Sequence, residues 1–349
     1  MPSKEISKIK PLCPVFGQCG GCLYQDIVYQ EELSLKERQL KTLFDSSFPV
    51  DRTLFKPIVG SPKEYHYRHR VDLKLVKSKT RGIFIGYTPK EGRGVLAINE
   101  CAIATEKIDQ AIGRVKEEAI NKLTEKYRQA NLVVRVGDNE QVRWGGIGRR
   151  SLELKEEDYL WAEVNGKKIF YSLDTFFQAN LSILPKLFDY LYAQPIWDNA
   201  SFYDLYGGVG LFGILMAEKV NKVTLIEEVG ASIKLARYNL ARHQLKNFEI
   251  IEGRMEDQFL SVLKQQADNN VVAMIDPPRA GLSADVRGLL TDAENINHLL
   301  YLSCNPEALV RDLKNLCESK WKIKEITPFD FFPKTKHLET LVSLTRQTL

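Results

Sequence analysis

Short apolar runs alternate with amphipathic stretches throughout the second half of the chain. Such runs, bounded by polar residues, are typical of strands buried on both faces of a parallel sheet. The stretches between them have apolar residues at helical spacing and predict crossover helices. The predicted strands cover residues 201–206, 223–226, 249–251, 271–275 and 298–303. We therefore expect the second half to form a doubly wound α/β sheet.

The first half mixes helices and strands in no regular order. Apolar residues at helical spacing predict an amphipathic helix over residues 29–44 and another over about residues 105–129. Alternating apolar and polar residues predict strands. These cover residues 71–76, 82–87, 94–98, 132–136, 141–144 and 161–164. We predict an α+β domain over residues 1–175 and a mostly parallel α/β domain over residues 176–349.

Composition places the chain among ordinary soluble proteins. It has 349 residues, of which 44% are hydrophobic and 27% charged, enough for two domains with sizeable cores. The net charge of +4 permits an RNA partner without requiring one. The first ten residues lack an apolar signal core, and no apolar run is long enough to span a bilayer. We expect a cytoplasmic protein with no membrane partner.

Cysteines are concentrated near the start of the chain. Cys13, Cys19 and Cys22 are separated by short glycine-containing loops, and Cys101 is the remaining cysteine of the N-terminal half. In a cytoplasmic protein, cysteines favour metal or catalytic roles over disulfides. Four thiolates suit either tetrahedral zinc or a [4Fe–4S] cluster, and the spacing does not distinguish them. Unliganded structural cysteines are the alternative.

Arginine, histidine and tyrosine are concentrated in residues 64–70, just before the predicted strand 71–76. Such side chains can stack on unpaired bases and contact phosphates. This composition predicts RNA contacts in the first domain. A solvated strand end would have the same composition.

A glycine-rich loop follows the first strand of the second half. Gly208, Gly210 and Gly213 match the spacing of a nucleotide-binding turn, and Glu227 ends the next strand. In such folds the acidic residue binds ribose hydroxyls. The pattern predicts a nucleoside-containing ligand and is compatible with either NAD or S-adenosylmethionine (SAM).

Two further strands end in residues that suggest chemistry. Asp276 is followed by Pro277 and Pro278, which make a stiff loop beside the expected ligand crevice. Cys304 follows the strand 298–303 and precedes a helix that begins near Pro306. The helix dipole would favour the nucleophilic thiolate. The alternative is that Cys304 is a small buried hydrophobic residue.

Several segments of the second half together resemble the RNA uracil-C5 methyltransferase family in order and spacing. They are Phe176–Asn180, Asp204–Gly210, Asp276–Gly281, Ser303–Pro306 and Phe332–Glu339. Gly207 departs from the family, which usually has cysteine there. The resemblance implies a Rossmann-like SAM-dependent methyltransferase domain.

The resemblance also implies roles for individual residues. Gln178, Tyr206, Glu227 and Asp276 match positions that surround SAM, and Asp276 could also reach the target base. Cys304 matches the nucleophile that adds to C6 of uracil. Glu339 matches the base that removes the C5 proton.

The N-terminal cysteines resemble those of the short [4Fe–4S] members that modify 23S ribosomal RNA, whereas tRNA-specific relatives generally lack them. This implies a [4Fe–4S] cluster and 23S rRNA as substrate. We expect a looped region of that RNA, because the target base must be unstacked to reach Cys304, and we expect a monomeric enzyme. A tRNA uracil-C5 methyltransferase is the alternative within the family. A NAD-dependent oxidoreductase and a non-catalytic RNA-binding paralogue are the alternatives outside it.

Overall fold

The computed structural model describes residues 7–80, 82–122, 128–146, 155–263 and 270–347. The first half contains the helices α1 (Tyr29–Ser47) and α2 (Glu106–Lys122). Its strands are β1 (Arg70–Ser78), β2 (Gly82–Tyr87), β3 (Leu96–Ala97), β4 (Gln129–Val136) and β5 (Val142–Gly146). They form an antiparallel sheet in the order β3-β2-β1-β4-β5, and apolar residues of α2 pack against it.

A separate hairpin of β6 (Leu160–Val164) and β7 (Lys167–Tyr171) precedes the second half. The helices that follow are α3 (Leu184–Tyr192), α4 (Leu211–Met216), α5 (Gly230–His243), α6 (Met255–Leu263), α7 (Ala284–Asp292) and α8 (Pro306–Ser319). The strands are β8 (Ser201–Leu205), β9 (Lys222–Glu227), β10 (Phe248–Glu252), β11 (Val271–Ile275), β12 (His298–Ser303), β13 (Trp321–Phe329) and β14 (Glu339–Arg346).

These strands form a seven-stranded sheet in the order β10-β9-β8-β11-β12-β14-β13. The first five are parallel, and β14 runs antiparallel to both β12 and β13. Successive strands are added in opposite directions from the middle of the sheet. After β8 the chain continues to β9 and β10 on one side, and after β11 it continues to β12 on the other, so the switch point lies between β8 and β11. Open α/β sheets bind ligands at the carboxyl ends of strands beside such a switch point.

Both faces of this sheet are covered. Alternate strand residues point to opposite faces, so Val272 and Met274 pack with α3, α4 and the β6–β7 hairpin. Val271, Ala273 and Ile275 pack with α7 and α8 on the other face. This double coverage explains why the parallel strands are continuous apolar runs.

The N-terminal helix α1 also packs on the second sheet. Leu40 and Phe44 are buried in the same core cluster as Ile226 and Leu309. Residues of the β6–β7 hairpin, such as Ile169, share the other cluster with Phe202. Two of the hydrophobic cores therefore extend across position 175, and the division into domains there stays a prediction.

Some predicted boundaries were wrong. The helix over residues 105–129 ends at Lys122, and Gln129 is the first residue of β4; the residues between 122 and 128 lie outside the described part. The strands β7, β13 and β14 were not predicted. In β13 a register shift between Ile323 and Glu325 interrupts the alternation of apolar and polar residues. Within the described ranges, none of the helices combines the length and apolar character that a membrane crossing requires.

Candidate functional site

The loop between β8 and α4 turns sharply at the carboxyl end of its strand. Tyr206, Gly208 and Gly210 have positive φ angles of 65°, 56° and 88°. Glycine adopts such angles without strain, whereas Tyr206 does not. Asp204 accepts a hydrogen bond of 2.8 Å from the backbone N–H of Gly213 and so ties the strand to the helix. Burial raises the pKa of Asp204 to about 7. The predicted glycine loop therefore lies at the switch point of the sheet.

The departure at Gly207 has a structural counterpart on the neighbouring strand. A Cβ atom at Gly207 would lie 2.3 Å from Cγ of Leu225 on β9. Real Cβ atoms do not approach other atoms so closely, so any side chain here requires Leu225 to move. The Leu225 side chain occupies the space beside Gly207 that a cysteine would need.

Glu227 is placed at the end of β9, facing the glycine loop. Its Oε2 accepts a hydrogen bond of 2.9 Å from the backbone N–H of Gly208. Its Oε1 accepts hydrogen bonds from the backbone N–H groups of Glu228 and Val229, at 2.9 and 2.7 Å. These contacts fix the orientation of the carboxylate beside the loop that would cradle a nucleoside.

Gln178 and Asp276 meet although they are far apart in sequence. Nε2 of Gln178 donates to Oδ2 of Asp276 at 3.3 Å. Burial and the nearby carboxyl of Asp204 raise the pKa of Asp276 to about 7, and the hydrogen bond from Gln178 opposes this shift. The predicted residues Gln178, Tyr206, Glu227 and Asp276 thus lie around the ends of β8, β9 and β11, with Gln178 reaching in from the segment before α3.

The loop after Asp276 is held against α8. Gly281 has a φ of 77°, and a Cβ atom there would lie 2.5 Å from Oδ2 of Asp312. Asp312 is fully buried and accepts hydrogen bonds of 2.8 Å from the backbone N–H of Leu282 and from the Tyr301 hydroxyl. The loop therefore has little freedom, and it presents Arg279 at the surface.

Cys304 lies between β12 and α8, as predicted. The side chain of Asn305 caps the helix, because its Oδ1 accepts hydrogen bonds from the backbone N–H groups of Glu307 and Ala308 at 3.1 and 3.5 Å. Its Nδ2 donates to the carbonyl oxygen of Arg279 at 2.9 Å. The N–H groups that a helix could offer to a thiolate are thus already used.

The expectation of a favoured thiolate is wrong for the free protein. Burial, together with the carboxyl groups of Glu339 and Asp276, raises the pKa of the Cys304 thiol to about 11. The guanidinium of Arg279 acts in the opposite direction. Desolvation and the nearby carboxyl groups therefore favour the neutral thiol in the free protein.

Glu339 lies beside Cys304 because of the strand register. Ser303 on β12 is opposite Thr340 on β14, so Cys304 and Glu339 are the next residues along the two strands. Glu339 also pairs with Phe329 on its other side. Burial and the Asp276 carboxyl raise the pKa of Glu339 well above its usual range. Oε2 of Glu339 is buried and has no hydrogen-bond partner among the described residues.

A cavity of about 520 Å³ opens beside Cys304. Arg279 and His337 line it from the second half of the chain, and Tyr24, Lys36 and Gln39 line it from the first. Sequence analysis did not single out Tyr24, Lys36 or Gln39. The amphipathic pattern of α1 predicted a helix but gave no sign of the surface on which it packs.

Within residues 64–70, which the sequence predicted to contact RNA, only Tyr67 is buried. Tyr67 is fully buried and its hydroxyl donates to the carbonyl oxygen of Pro333 at 3.0 Å. The Arg68 guanidinium lies 6.0 Å from the ring centroid of Phe332. Tyr67 therefore cannot stack on a base, and the stretch packs against the loop between β13 and β14.

The N-terminal cysteines lie together. Cys13, Cys19, Cys22 and Cys101 line one cavity of about 350 Å³, and all four are free thiols. In the described part of the chain, no group of three or more His, Cys, Asp or Glu side chains is arranged to hold a metal ion. The four predicted ligands are thus brought together, but the predicted metal site is not confirmed.

The fold is that of Rossmann-like methyltransferases. A solved structure of the Pyrococcus abyssi tRNA (uracil-54, C5)-methyltransferase, in complex with S-adenosyl-L-homocysteine, superimposes with a TM-score of 0.69 at 24% identity, over 92% of this chain and 84% of that chain. The α/β prediction for the second half is therefore confirmed.

Sequence comparisons identify the family. The family model described as tRNA (Uracil-5-)-methyltransferase matches residues 122–347, more than half of the chain. An uncharacterized RNA methyltransferase of Clostridium tetani is 30% identical over 97% of this chain and 85% of its own length. The tRNA (uracil(54)-C(5))-methyltransferase of Schizosaccharomyces pombe is 29% identical over 99% of this chain and 67% of its own length. The chain belongs to the RNA uracil-C5 methyltransferase family, as its motifs predicted.

Proposed function

We propose that this protein transfers a methyl group from SAM to C5 of a uridine in RNA through a covalent bond between Cys304 and C6. The observation that carries the proposal is the register of β12 and β14. It brings a cysteine and a buried carboxyl group together beside a cavity, at the edge of the sheet that carries the glycine loop. A dehydrogenase would use the glycine loop but has no use for this pair.

The proposed SAM site consists of Gln178, Tyr206, Glu227 and Asp276. Glu227 would bind the ribose hydroxyls, because its carboxylate is held beside the glycine loop at the end of the second parallel strand. SAM supplies an electrophilic methyl group that needs no further activation. Asp276 and Gln178, which are hydrogen-bonded to each other, lie between this loop and Cys304.

The first chemical step makes C5 nucleophilic. The sulfur of Cys304 forms a bond to C6, and the electrons of the C5–C6 double bond move toward C5 and the O4 carbonyl. The thiol proton must leave as this bond forms. Asp276, whose carboxyl group is close enough to Cys304 to raise the pKa of the thiol, can accept this proton when it is ionised.

The last step restores the base. After C5 has taken the methyl group, Glu339 removes the C5 proton, the double bond reforms and the Cys304 sulfur leaves. Glu339 must be ionised for this role, so the proton that its raised pKa favours has to pass to solvent before this step. The charge of Arg279 favours both the carboxylate of Glu339 and the thiolate of Cys304. Arg279 would therefore assist both the addition of Cys304 to C6 and the removal of the C5 proton by Glu339.

The substrate is proposed to be a looped region of RNA, because the target base has to leave its stack to reach Cys304. The cysteines favour 23S rRNA, through their resemblance to family members that act on it. The similarity to a relative named for uracil 54 of tRNA favours tRNA as the second candidate. We propose that residues 1–175 contribute the RNA contacts outside the catalytic cavity.

The four N-terminal cysteines are proposed to bind a [4Fe–4S] cluster. Four thiols around one cavity are a suitable donor set. A single zinc ion with Zn–S bonds of about 2.3 Å would need the four sulfur atoms much closer together than a four-iron cluster does. The metal content of the purified protein distinguishes the two. The cluster would hold the N-terminal segment in place.

Methyl transfer to separated RNA fractions tests the proposed function. The purified protein should transfer label from methyl-labelled SAM to 23S rRNA or to tRNA isolated from cells that lack the enzyme. Digestion of that RNA should yield labelled 5-methyluridine. Label in a different nucleoside, or none in either fraction, would contradict the proposal, and the labelled fraction identifies the substrate.

A further inference from the structure

The cavity beside Cys304 extends away from the catalytic carboxyl groups. Asp276 and Glu339 are both in the described part of the chain, and neither lines this cavity. Its far wall is formed by Tyr24 and Gln39 from the N-terminal part of the chain. At about 520 Å³ it is within the range of small-molecule sites, roughly 300–1,000 Å³. It therefore offers room beside the position of a target uracil.

Two polar side chains on the far wall interact with each other. The Tyr24 hydroxyl lies 3.3 Å from Nε2 and 3.4 Å from Oε1 of Gln39. Tyr24 is buried, whereas the Gln39 side chain is exposed. A carboxamide presents donors and an acceptor side by side, which is the pattern needed to bind the edge of an unstacked base. Tyr24 can hold that amide in position without blocking it.

The wall that carries these residues is held rigidly. Lys36, one helical turn before Gln39, is buried and makes ion pairs of 2.8 Å with Glu32 and with Asp330. The backbone N–H groups of Leu23 and Tyr24 donate to the carbonyl oxygen of Lys334 at 2.8 and 3.1 Å. A binding group is most selective when its supporting residues fix it in this way.

The cavity rim carries charges suited to a polynucleotide. Arg279 and Lys336 line the cavity and are exposed, and Glu307 is an acidic residue at the same rim. The two cations can contact phosphates of the chain on either side of the target nucleotide. An RNA strand whose target base lies against Cys304 would therefore continue along this cavity.

We propose that Tyr24 and Gln39 form a second subsite, which binds the unstacked base of a nucleotide next to the target uridine. The inference rests on the proposed function, because it takes RNA as the substrate. Gln39 binds the base edge and Tyr24 orients the Gln39 amide. The subsite makes recognition depend on the sequence around the target and not only on the uracil.

Kinetics on modified RNA test the subsite. The substrate is an oligonucleotide that spans the methylated uridine, together with versions that lack the base at each flanking position in turn. We expect Gln39→Ala to lower kcat/KM for the intact RNA roughly 5- to 150-fold, the range for losing a good base contact. Tyr24→Phe should have a smaller effect in the same direction. Gln30→Ala is the matched control, because Gln30 is exposed on the same helix and does not line the cavity.

The subsite is tested by combining the Gln39→Ala substitution with removal of a flanking base. Removing one flanking base should weaken the wild-type reaction but have little further effect on Gln39→Ala, while SAM affinity stays unchanged in all variants. If Gln39→Ala equals wild type, or if its defect is independent of every flanking base, the subsite is wrong. If the wild-type protein forms no 5-methyluridine, the proposed function itself fails and the subsite with it.

Discussion

At the scale of single residues, the reactivity of Cys304 is set by the balance between burial and a nearby cation. Burial and the carboxyl groups of Glu339 and Asp276 favour the neutral thiol, while Arg279 favours the thiolate. The Cys304 thiol of the free protein is therefore mostly protonated at neutral pH.

This balance predicts how Cys304 reacts with iodoacetamide in the absence of RNA. Because a raised pKa means that the thiolate fraction grows with pH, the alkylation rate should increase about tenfold per pH unit from pH 7 to 10, toward a pKa of about 11. Arg279→Ala should slow the reaction at pH 8, because it removes the group that lowers the pKa. Alkylation is followed by peptide mass spectrometry at Cys304. A rate that is already constant above pH 8 would contradict this account.

The sequence identified both proposed catalytic residues, but only through their resemblance to a family. Hydrophobic patterns placed Cys304 at the end of a strand. They could not pair it with Glu339, because the pairing depends on β14 entering the sheet antiparallel beside β12. Tyr24 and Gln39 carry no local signal at all, since their place in the cavity comes from the packing of α1 and of the segment before it against the second half.

At the scale of elements, the nucleotide loop depends on close packing between β8 and β9. Gly207 follows β8, and the Leu225 side chain on β9 occupies the adjacent space. The parallel strands were predictable because each is an apolar run buried on both faces. The antiparallel hairpin of β13 and β14 was not predictable. A register shift interrupts the alternating pattern of β13, and this strand follows a helix, after which a parallel strand is the usual continuation.

We predict that Gly207→Cys destabilises the protein by roughly 1–3 kcal/mol, because the new side chain overlaps Leu225. Leu225→Ala should be destabilising alone by roughly 2–5 kcal/mol. The double variant should lose less than the sum, because the cysteine fills the space vacated by leucine. Urea unfolding measures all three. Gly230→Ala is the control, because nothing lies within 4 Å of a Cβ at that position; equal stability of Gly207→Cys and this control would refute the packing argument.

At the scale of the whole molecule, a buried ionic cluster joins the two ends of the chain. Glu32 and Lys36 on α1 pair with Asp330 and Lys334 in the loop between β13 and β14. The exposed fractions of these side chains are 0–1%. No hydrophobic pattern could predict this cluster, because its members are polar and about 300 residues apart, as the separation of 294 between Lys36 and Asp330 shows.

Removing one cation from this cluster should lower the free energy of unfolding. We expect Lys36→Met to destabilise the protein by about 3–5 kcal/mol, because it leaves the carboxylates of Glu32 and Asp330 buried with fewer partners. The control is Lys41→Met on the same helix, whose pair with Glu37 is partly exposed, and it should cost less than about 1 kcal/mol. Denaturant titration of both variants gives the comparison. Similar losses for the two lysines would show that the cluster has no special role in joining the chain ends.

The four cysteines that line the N-terminal cavity predict that the purified protein contains an iron–sulfur cluster. Anaerobic purification should give a brown protein that contains iron and inorganic sulfide. Cys13→Ser and Cys101→Ser should each reduce the iron content, whereas Cys317→Ser should not, because Cys317 lies on α8 and packs against the hydrophobic core. Stoichiometric zinc without iron in the wild-type protein would contradict the cluster.

The order in which Cys304 and Glu339 act gives the most direct test of the proposed mechanism. Each variant is incubated with substrate RNA and methyl-labelled SAM and then run on a denaturing gel. Cys304→Ala should give neither product nor a covalent conjugate, because no bond to C6 can form. Glu339→Gln should add and methylate but then stall, because an amide cannot remove the C5 proton, so a slowly migrating protein–RNA conjugate should carry the label. If Cys304→Ala turned over or trapped labelled RNA, Cys304 would not be the nucleophile, and the covalent mechanism would be wrong.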